Sequence, residues 1–137
     1  MCPAVYECAE SGKSVRIFLL IVFGALGTLA RYGLQGIVQQ RANTTFPSGT
    51  LAVNLLGCLL LGGVEQYGLN HLTFPPEWRI AITVGFVGAF TTFSTFNYET
   101  VRLFEDGAWW TAMLYVGISL IGGLALMMLG MRVADLL

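Results

Sequence analysis

Apolar runs recur four times along this chain, each near the length of about 20 residues that a helix needs to cross a bilayer. They cover approximately residues 15–38, 50–69, 79–104 and 108–131. Polar segments rich in turn formers separate them, and Pro75 and Pro76 prevent a helix from continuing through the second of these segments. The pattern predicts an all-α membrane protein with four transmembrane helices. Because the connections are short, successive helices are expected to be antiparallel neighbours.

The chain before the first apolar run is polar. Residues 1–13 lack periodicity, which predicts a loose tail. We therefore divide the chain into a polar N-terminal tail, residues 1–14, and a single four-helix transmembrane domain, residues 15–137. The cysteines at positions 2, 8 and 58 are odd in number and lack zinc-like spacing, so they are expected to be unpaired thiols.

Composition supports the membrane interpretation. Hydrophobic residues make up 55% of the chain and charged residues 11%, whereas soluble domains carry about 25% charged residues. The formal net charge is −1, and no basic patch indicates nucleic-acid binding. An enzyme is not expected, because His71 lies alone in a loop and no nucleophile–base pair or metal cluster accompanies it.

The basic residues hardly favour one orientation in the membrane. One side carries four, Lys13, Arg16, Arg79 and Arg132, and the other carries three, Arg31, Arg41 and Arg102. The positive-inside rule needs an excess to fix a topology. A chain without that excess is able to insert both ways, and two oppositely inserted copies are related by a two-fold axis in the membrane plane. We therefore predict an antiparallel, dual-topology homodimer.

The third apolar run is unusually polar, with the sequence GFVGAFTTFSTFNYET at residues 85–100. Gly85 and Gly88 weaken the helix there, as do the β-branched Thr91, Thr92 and Thr95. We expect the third helix to be broken mid-membrane, where non-helical backbone is tolerated only inside protein or along a wet cavity. Freed carbonyl oxygens are hard ligands that suit a hard cation such as Na⁺.

Aromatic and amide side chains accompany this polar segment. Phe93 and Phe96 are three residues apart and share one helix face, and their positive ring edges can face an anion. Asn54, within the second run, can donate hydrogen bonds to such an ion or simply bond to a neighbouring helix. Ordinary packing of the two rings is the alternative. The residues alone indicate a pore or ion site in a small membrane oligomer and do not choose the ion.

Three motifs in register resemble those of the Fluc fluoride channels, also called CrcB-like proteins. They are GALGTLARYG at 24–33, PSGTLAVNLLGC at 47–58 and GFVGAFTTFSTFNYE at 85–99. The resemblance covers approximately residues 18–129. It implies a passive, fluoride-selective channel that exports cytoplasmic fluoride and so detoxifies it. The expected location is the bacterial inner membrane, with a dual-topology homodimer that contains two pores and a structural Na⁺.

The resemblance also assigns roles to positions of this sequence. Phe93 and Phe96 correspond to the rings whose edges contact fluoride, and Asn54 to a fluoride donor. Gly88 and Thr91 correspond to the residues whose backbone carbonyls hold Na⁺ at the dimer interface. The remaining pathway residues that it implies are Ser94, Thr95, Glu99, Tyr115 and Ser119. Gly123 stands where some relatives carry a serine, which would shorten this polar track.

Two other function classes fit the four-span pattern. A proton-coupled transporter of the small multidrug type also has four helices and inserts both ways, and here it would use Glu99 or Glu65 as its proton-binding carboxylate. A non-transporting membrane scaffold is the third possibility, if the polar side chains serve only packing. A requirement for a proton gradient separates the transporter from the channel.

Overall fold

The computed structural model describes the backbone of residues 4–137 and the side chains of residues 13–137. Over these residues the chain is helical and contains no strand. The elements are α1 (Ala4–Ala42), α2 (Ser48–Asn70), α3 (Pro76–Ile80), a π-helical segment (Ala81–Val87), α4 (Gly88–Phe90), α5 (Phe93–Glu105) and α6 (Trp109–Ala134).

Four stretches of helix are long and apolar enough to cross a membrane. They are Lys13–Ala42, Ser48–Asn70, Pro76–Glu105 and Trp109–Ala134. The third span combines α3, the π-helical segment, α4 and α5. The all-helical class and the four spans predicted from the sequence are thus confirmed, with each span slightly longer than its apolar run.

The N-terminal segment differs from the loose tail that we expected, because α1 is helical from Ala4 onward. Alanine and glutamate favour helix, and residues 4–10 contain two of each, so this segment is able to extend the first span. Cys2 lies outside the described residues, as does the side chain of Cys8. Cys58 is a free thiol, as predicted.

Local backbone preferences explain where the spans end. Asn43 follows α1 with φ of 45°, a left-handed conformation that asparagine tolerates after a helix. Pro76 occupies the first position of α3, where its fixed φ suits a helix and its missing N–H costs no hydrogen bond. Gly107, with φ of 73°, turns the chain between α5 and α6.

The two most extensive helix contacts in the bundle are α2 against α6 and α1 against the third span. A Cβ added to Gly130 of α6 would collide with the carbonyl oxygen of Leu59 on α2, and one added to Gly27 of α1 would collide with that of Phe86. Small residues let helix backbones approach in membranes, where no hydrophobic force draws helices together. Gly27 and Gly130 therefore allow these helix backbones to pack closely.

A buried cluster joins α5 to α6 and carries the polar residues considered next. Phe96 and Leu103 of α5 pack there against Ala112 and Tyr115 of α6. Phe46, from the connection between α1 and α2, meets the Tyr115 ring at a centroid distance of 5.6 Å. This cluster fixes one face of α5 toward the bundle interior.

Candidate functional site

The third span contains two residues of extended backbone between α4 and α5. Thr91 has φ and ψ of −89° and 161°, and Thr92 has −150° and 110°. The Asn54 amide of α2 pairs with Thr92 in both directions, donating to its carbonyl at 3.1 Å and accepting from its N–H at 2.8 Å. The interhelical hydrogen bond considered for Asn54 is therefore present, and it holds Thr92 in its extended conformation.

The same interruption diverts two N–H groups from helical hydrogen bonds. The Thr92 N–H donates to Asn54, and the Thr95 N–H donates to the Thr92 hydroxyl at 3.3 Å. In an unbroken α-helix these N–H groups would bond to the carbonyls four residues earlier, those of Gly88 and Thr91. Both carbonyls are thereby left without their regular helical donors.

Thr92 also begins α5 as its N-cap residue. Its hydroxyl accepts from the Thr95 N–H and donates to the Thr95 hydroxyl at 2.8 Å. A threonine at this position satisfies one of the N–H groups that a helix start leaves unpaired. The dense Thr/Ser pattern of the sequence thus serves, in part, to restart the helix.

The two phenylalanine rings lie close together but differ in exposure. Phe93 and Phe96 have centroids 6.0 Å apart, so the shared face predicted from their spacing is present. Phe96 is 8% exposed, whereas Phe93 is 76% exposed within one chain. The Phe96 ring also contacts Tyr115, with a centroid distance of 5.1 Å. Phe96 is therefore held by the bundle, and Phe93 projects from it.

Glu99 lies between two hydroxyl donors from other helices. Thr50 of α2 donates to Oε1 at 2.7 Å, and Tyr115 of α6 donates to Oε2 at 2.8 Å. Both donor residues are almost fully buried. The carboxylate of α5 is thus tied to α2 and α6 by hydrogen bonds to a charged group, which are stronger than neutral ones.

Ser119 contributes a buried hydroxyl. Its Oγ atom is inaccessible to solvent and has no hydrogen-bond partner among the described residues. It borders a cavity of about 250 Å³ that is also lined by Asn54, Thr92, Phe93 and Phe96. Buried polar groups are almost always bonded, so an unpaired hydroxyl beside a cavity suits an ion or water as its partner.

A larger cavity, of about 570 Å³, opens between α1 and α5 beside the connection of residues 43–47. Gln35, Gln39, Tyr98 and Glu99 are among its lining residues. Glu99 borders this cavity, and Phe96, three residues earlier on α5, borders the smaller one. One helix therefore links the two cavities.

The structure brings most of the predicted site residues together. Asn54, Phe93 and Phe96 line the smaller cavity with Ser119, while Thr95 bonds to Thr92 beside it. Ser94 is different, because it is exposed at the surface of one chain. The backbone of Gly88 and Thr91 flanks this site. Glu99 and Tyr115 are hydrogen-bonded to each other.

Two polar residues of this region were not singled out by sequence reasoning, Thr50 and Gln35. Thr50 precedes Asn54 by four residues, and this spacing places both on one face of α2. That spacing was a usable signal. Gln35 donates to the Thr50 hydroxyl at 3.1 Å from α1, a contact that depends on tertiary packing and leaves no local pattern.

Other expected functional candidates lie elsewhere. Glu65 forms an ion pair with Arg79 at 3.8 Å, and both side chains are partly exposed. Gly123 is buried, and a Cβ added there would lie 3.4 Å from the Cys58 sulfur. The site thus contains Glu99 rather than Glu65 as its carboxylate.

Comparison with known proteins places this arrangement in a family. The family described as "CrcB-like protein, Camphor Resistance (CrcB)" matches residues 18–131. A relative from Nitratidesulfovibrio vulgaris (strain DSM 19637 / Miyazaki F), named fluoride-specific ion channel FluC, is 50% identical over 85% of this chain and 94% of its own length. A FluC protein of Geobacter sp. (strain M21) is 46% identical over 87% and 96%, respectively. A relative from Symbiobacterium thermophilum, named fluoride-specific ion channel FluC 2, is 49% identical over 81% and 90%.

The family match over residues 18–131 reaches all four spans and includes the interrupted segment of the third. Together with the similarity to these relatives, it shows that the chain belongs to the CrcB-like family.

Proposed function

We propose that this chain is a fluoride-specific ion channel, which lets fluoride leave the cell passively. The observation that carries this conclusion is the similarity of nearly the whole chain to proteins named fluoride-specific ion channel FluC. The protein is a channel rather than an enzyme and crosses the membrane several times. Because these relatives are bacterial, the inner membrane is its expected location.

Hydrogen-bond donors around the smaller cavity suit fluoride, which is small and strongly hydrated. The Ser119 hydroxyl has no partner among the described side chains, and Asn54 uses only one of its two amide N–H groups on Thr92. The second Asn54 N–H and the Ser119 hydroxyl are therefore two donors beside the cavity that no described residue occupies. Conduction requires several such donors, each favourable enough for the ion to enter and weak enough for it to leave.

The phenylalanines are proposed to present their ring edges to fluoride. Phe96 is held against Tyr115, which preserves its orientation as an ion passes. Phe93 borders the same cavity from its more exposed position. The edges of aromatic rings carry partial positive charge, so they can replace part of the hydration shell without binding the anion tightly. The proposed pathway continues on the α5 side along Thr95, Glu99 and Tyr115. Ser94 is the exposed residue of this pathway.

The carbonyls of Gly88 and Thr91 are proposed to hold a structural Na⁺. Both lose their helical donors through the bonds of Thr92 and Thr95, and carbonyl oxygens suit hard cations. When bound, this cation would offset the cost of bringing an anion into the membrane. Gly88 is exposed at the surface of one chain, so a second chain is able to supply equivalent carbonyls.

An antiparallel homodimer is the assembly that fits these features. Its supports are the near-even distribution of basic residues in the sequence and the exposure of Phe93 and Gly88. A two-fold axis in the membrane plane would duplicate both the carbonyls and the pathway. Detection of a C-terminal tag on both faces of the membrane is expected, and its restriction to one face would exclude this arrangement.

Fluoride efflux from liposomes that contain the purified protein tests the function. We expect efflux down the fluoride gradient with no imposed proton gradient, once a potassium ionophore balances the charge. Efflux that requires a proton gradient, and is lost in Glu99→Gln or Glu65→Gln alone, would instead establish the coupled transporter. Absence of fluoride movement under either condition would contradict both.

A further inference from the structure

The side-chain amide of Gln35, on α1, lines the larger cavity and makes one hydrogen bond within the described part of the chain. Its Nε2 donates to the Thr50 hydroxyl at 3.1 Å, and Thr50 in turn donates to Glu99 Oε1 at 2.7 Å. Gln35 and Glu99 both line the cavity of about 570 Å³. Three helices, α1, α2 and α5, thus meet in one chain of hydrogen bonds.

The donor and acceptor roles in this series of hydrogen bonds follow from the number of protons that the Thr50 hydroxyl carries. A threonine hydroxyl has one proton to donate and lone pairs to accept with. Thr50 is 1% exposed, so water does not compete for it. With the Gln35 amide donating to its oxygen, the Thr50 proton points to the carboxylate.

Close packing of α1 on α2 fixes the position of Gln35. A Cβ added to Gly49 would lie 2.9 Å from Gln35 Cγ and would collide with the Gln35 carbonyl oxygen. Gln39, one turn further along α1, accepts from the Gly49 N–H at 3.1 Å and holds the start of α2 in place. The crossing of α1 and α2 therefore places the Gln35 amide next to the Thr50 hydroxyl.

We propose that Gln35 is a positioning residue of the ion pathway, acting on Glu99 through Thr50. This inference rests on the proposed function. An anion that enters from the larger cavity meets Glu99 and Asp106, while Arg102, the basic residue of this lining, is paired with Glu105 at 2.8 Å. A donor on each oxygen of Glu99 reduces the negative charge that the anion encounters.

Loss of the Gln35 amide leaves the Thr50 hydroxyl free to rotate away from Glu99. Oε1 then lacks a fixed donor, and the carboxylate repels fluoride more strongly. The effect is transmitted electrostatically, so it differs from a loss of packing.

The test compares Gln35→Met, which keeps the length of the side chain but removes its donors, with Gln40→Met on the exposed side of the same helix. In liposomes, Gln35→Met should reduce fluoride efflux at least about fivefold, the rate equivalent of one hydrogen bond. Gln40→Met should match the wild type. Both variants should retain the wild-type melting temperature in detergent to within a few degrees.

Infrared spectroscopy supplies a readout that a purely structural role would not change. The carboxylate band of Glu99, identified by its loss in Glu99→Gln, should shift in Gln35→Met and stay in place in Gln40→Met. An unshifted band, or wild-type efflux in Gln35→Met, would overturn the inference. A wild-type protein that moves no fluoride would instead overturn the proposed function, so the two failures are distinguishable.

Discussion

At the scale of single side chains, Asn54 and Ser119 border the same cavity but use their polar atoms differently. Asn54 is engaged with the Thr92 backbone, so its replacement would disturb both the interrupted backbone and the pathway. The Ser119 hydroxyl has no partner in the described part of the chain. A substitution at Ser119 therefore tests a contribution to conduction without removing a hydrogen bond that stabilises the described structure.

Ser119→Ala should slow fluoride efflux while leaving stability unchanged or improved. Burial of an unpaired hydroxyl is unfavourable, and its removal breaks no hydrogen bond within the described structure. Efflux should fall about fivefold, as expected for one lost donor, and Ser119→Thr, which retains a hydroxyl, should conduct better than Ser119→Ala. Efflux from liposomes and melting in detergent measure the two effects, and a destabilised Ala variant with normal efflux would contradict this role.

At the scale of helices, two glycines of α6 differ sharply in their surroundings. A Cβ at Gly130 would collide with the Leu59 carbonyl of α2, whereas a Cβ at Gly117 meets nothing within 4 Å. The contact at Gly130 involves backbone, which cannot move without separating the helices. The two positions therefore form a matched pair on one helix.

Gly130→Ala should destabilise the protein, and Gly117→Ala should not. Overpacking costs about 1–3 kcal/mol, which exceeds the roughly 1 kcal/mol that alanine gains over glycine in helix propensity. We expect a lower melting temperature for Gly130→Ala and an unchanged or slightly higher one for Gly117→Ala. Equal melting temperatures would show that α2 and α6 do not approach closely at this point.

The sequence predicts these helices better than their internal irregularities. Four runs of apolar residues are a strong local signal, and the structure has all four spans. The sequence indicated a weakened helix over residues 85–95, and the extended residues, Thr91 and Thr92, lie within that stretch, although no local pattern singled out these two. Their location depends on the Asn54 amide of another helix, which no local pattern contains.

The dependence on contacts between helices also explains which features around the site the sequence did not predict. The π-helical segment Ala81–Val87 packs against α1, and its sequence does not distinguish it from ordinary apolar helix. Gln35 reaches Thr50 only because Gly49 allows α1 and α2 to cross closely. The sequence predicts which residues share one face of a helix. Contacts between different helices depend on the three-dimensional fold and cannot be predicted in this way.

At the scale of the whole molecule, the proposed dimer and its Na⁺ depend on each other. Under this proposal Gly88 and Thr91 would contribute carbonyls from one chain, and the second chain would contribute the same pair. The cation would therefore link the two copies as well as stabilise the interrupted span.

Prolonged dialysis against Na⁺-free, K⁺-containing buffer should abolish fluoride efflux, and return of Na⁺ should restore it. The reason is that carbonyl oxygens arranged around Na⁺ would not be held equally well by the larger K⁺. Chemical cross-linking measured in parallel should report a weaker dimer after dialysis. Full efflux from protein that atomic absorption shows to be free of Na⁺ would exclude a structural role for the ion.

The central claim is that fluoride passes along the Phe96 side of α5, and a comparison of two isoleucine substitutions tests it most directly. Phe96 is buried at the cavity, whereas Phe18 is 65% exposed on α1, and both changes replace an aromatic ring with an aliphatic chain of similar polarity. In liposomes loaded with fluoride, Phe96→Ile should lose at least about nine-tenths of the wild-type efflux, a loss comparable to 1.4 kcal/mol, while Phe18→Ile should retain it. Wild-type efflux in a folded Phe96→Ile protein would contradict the proposed path.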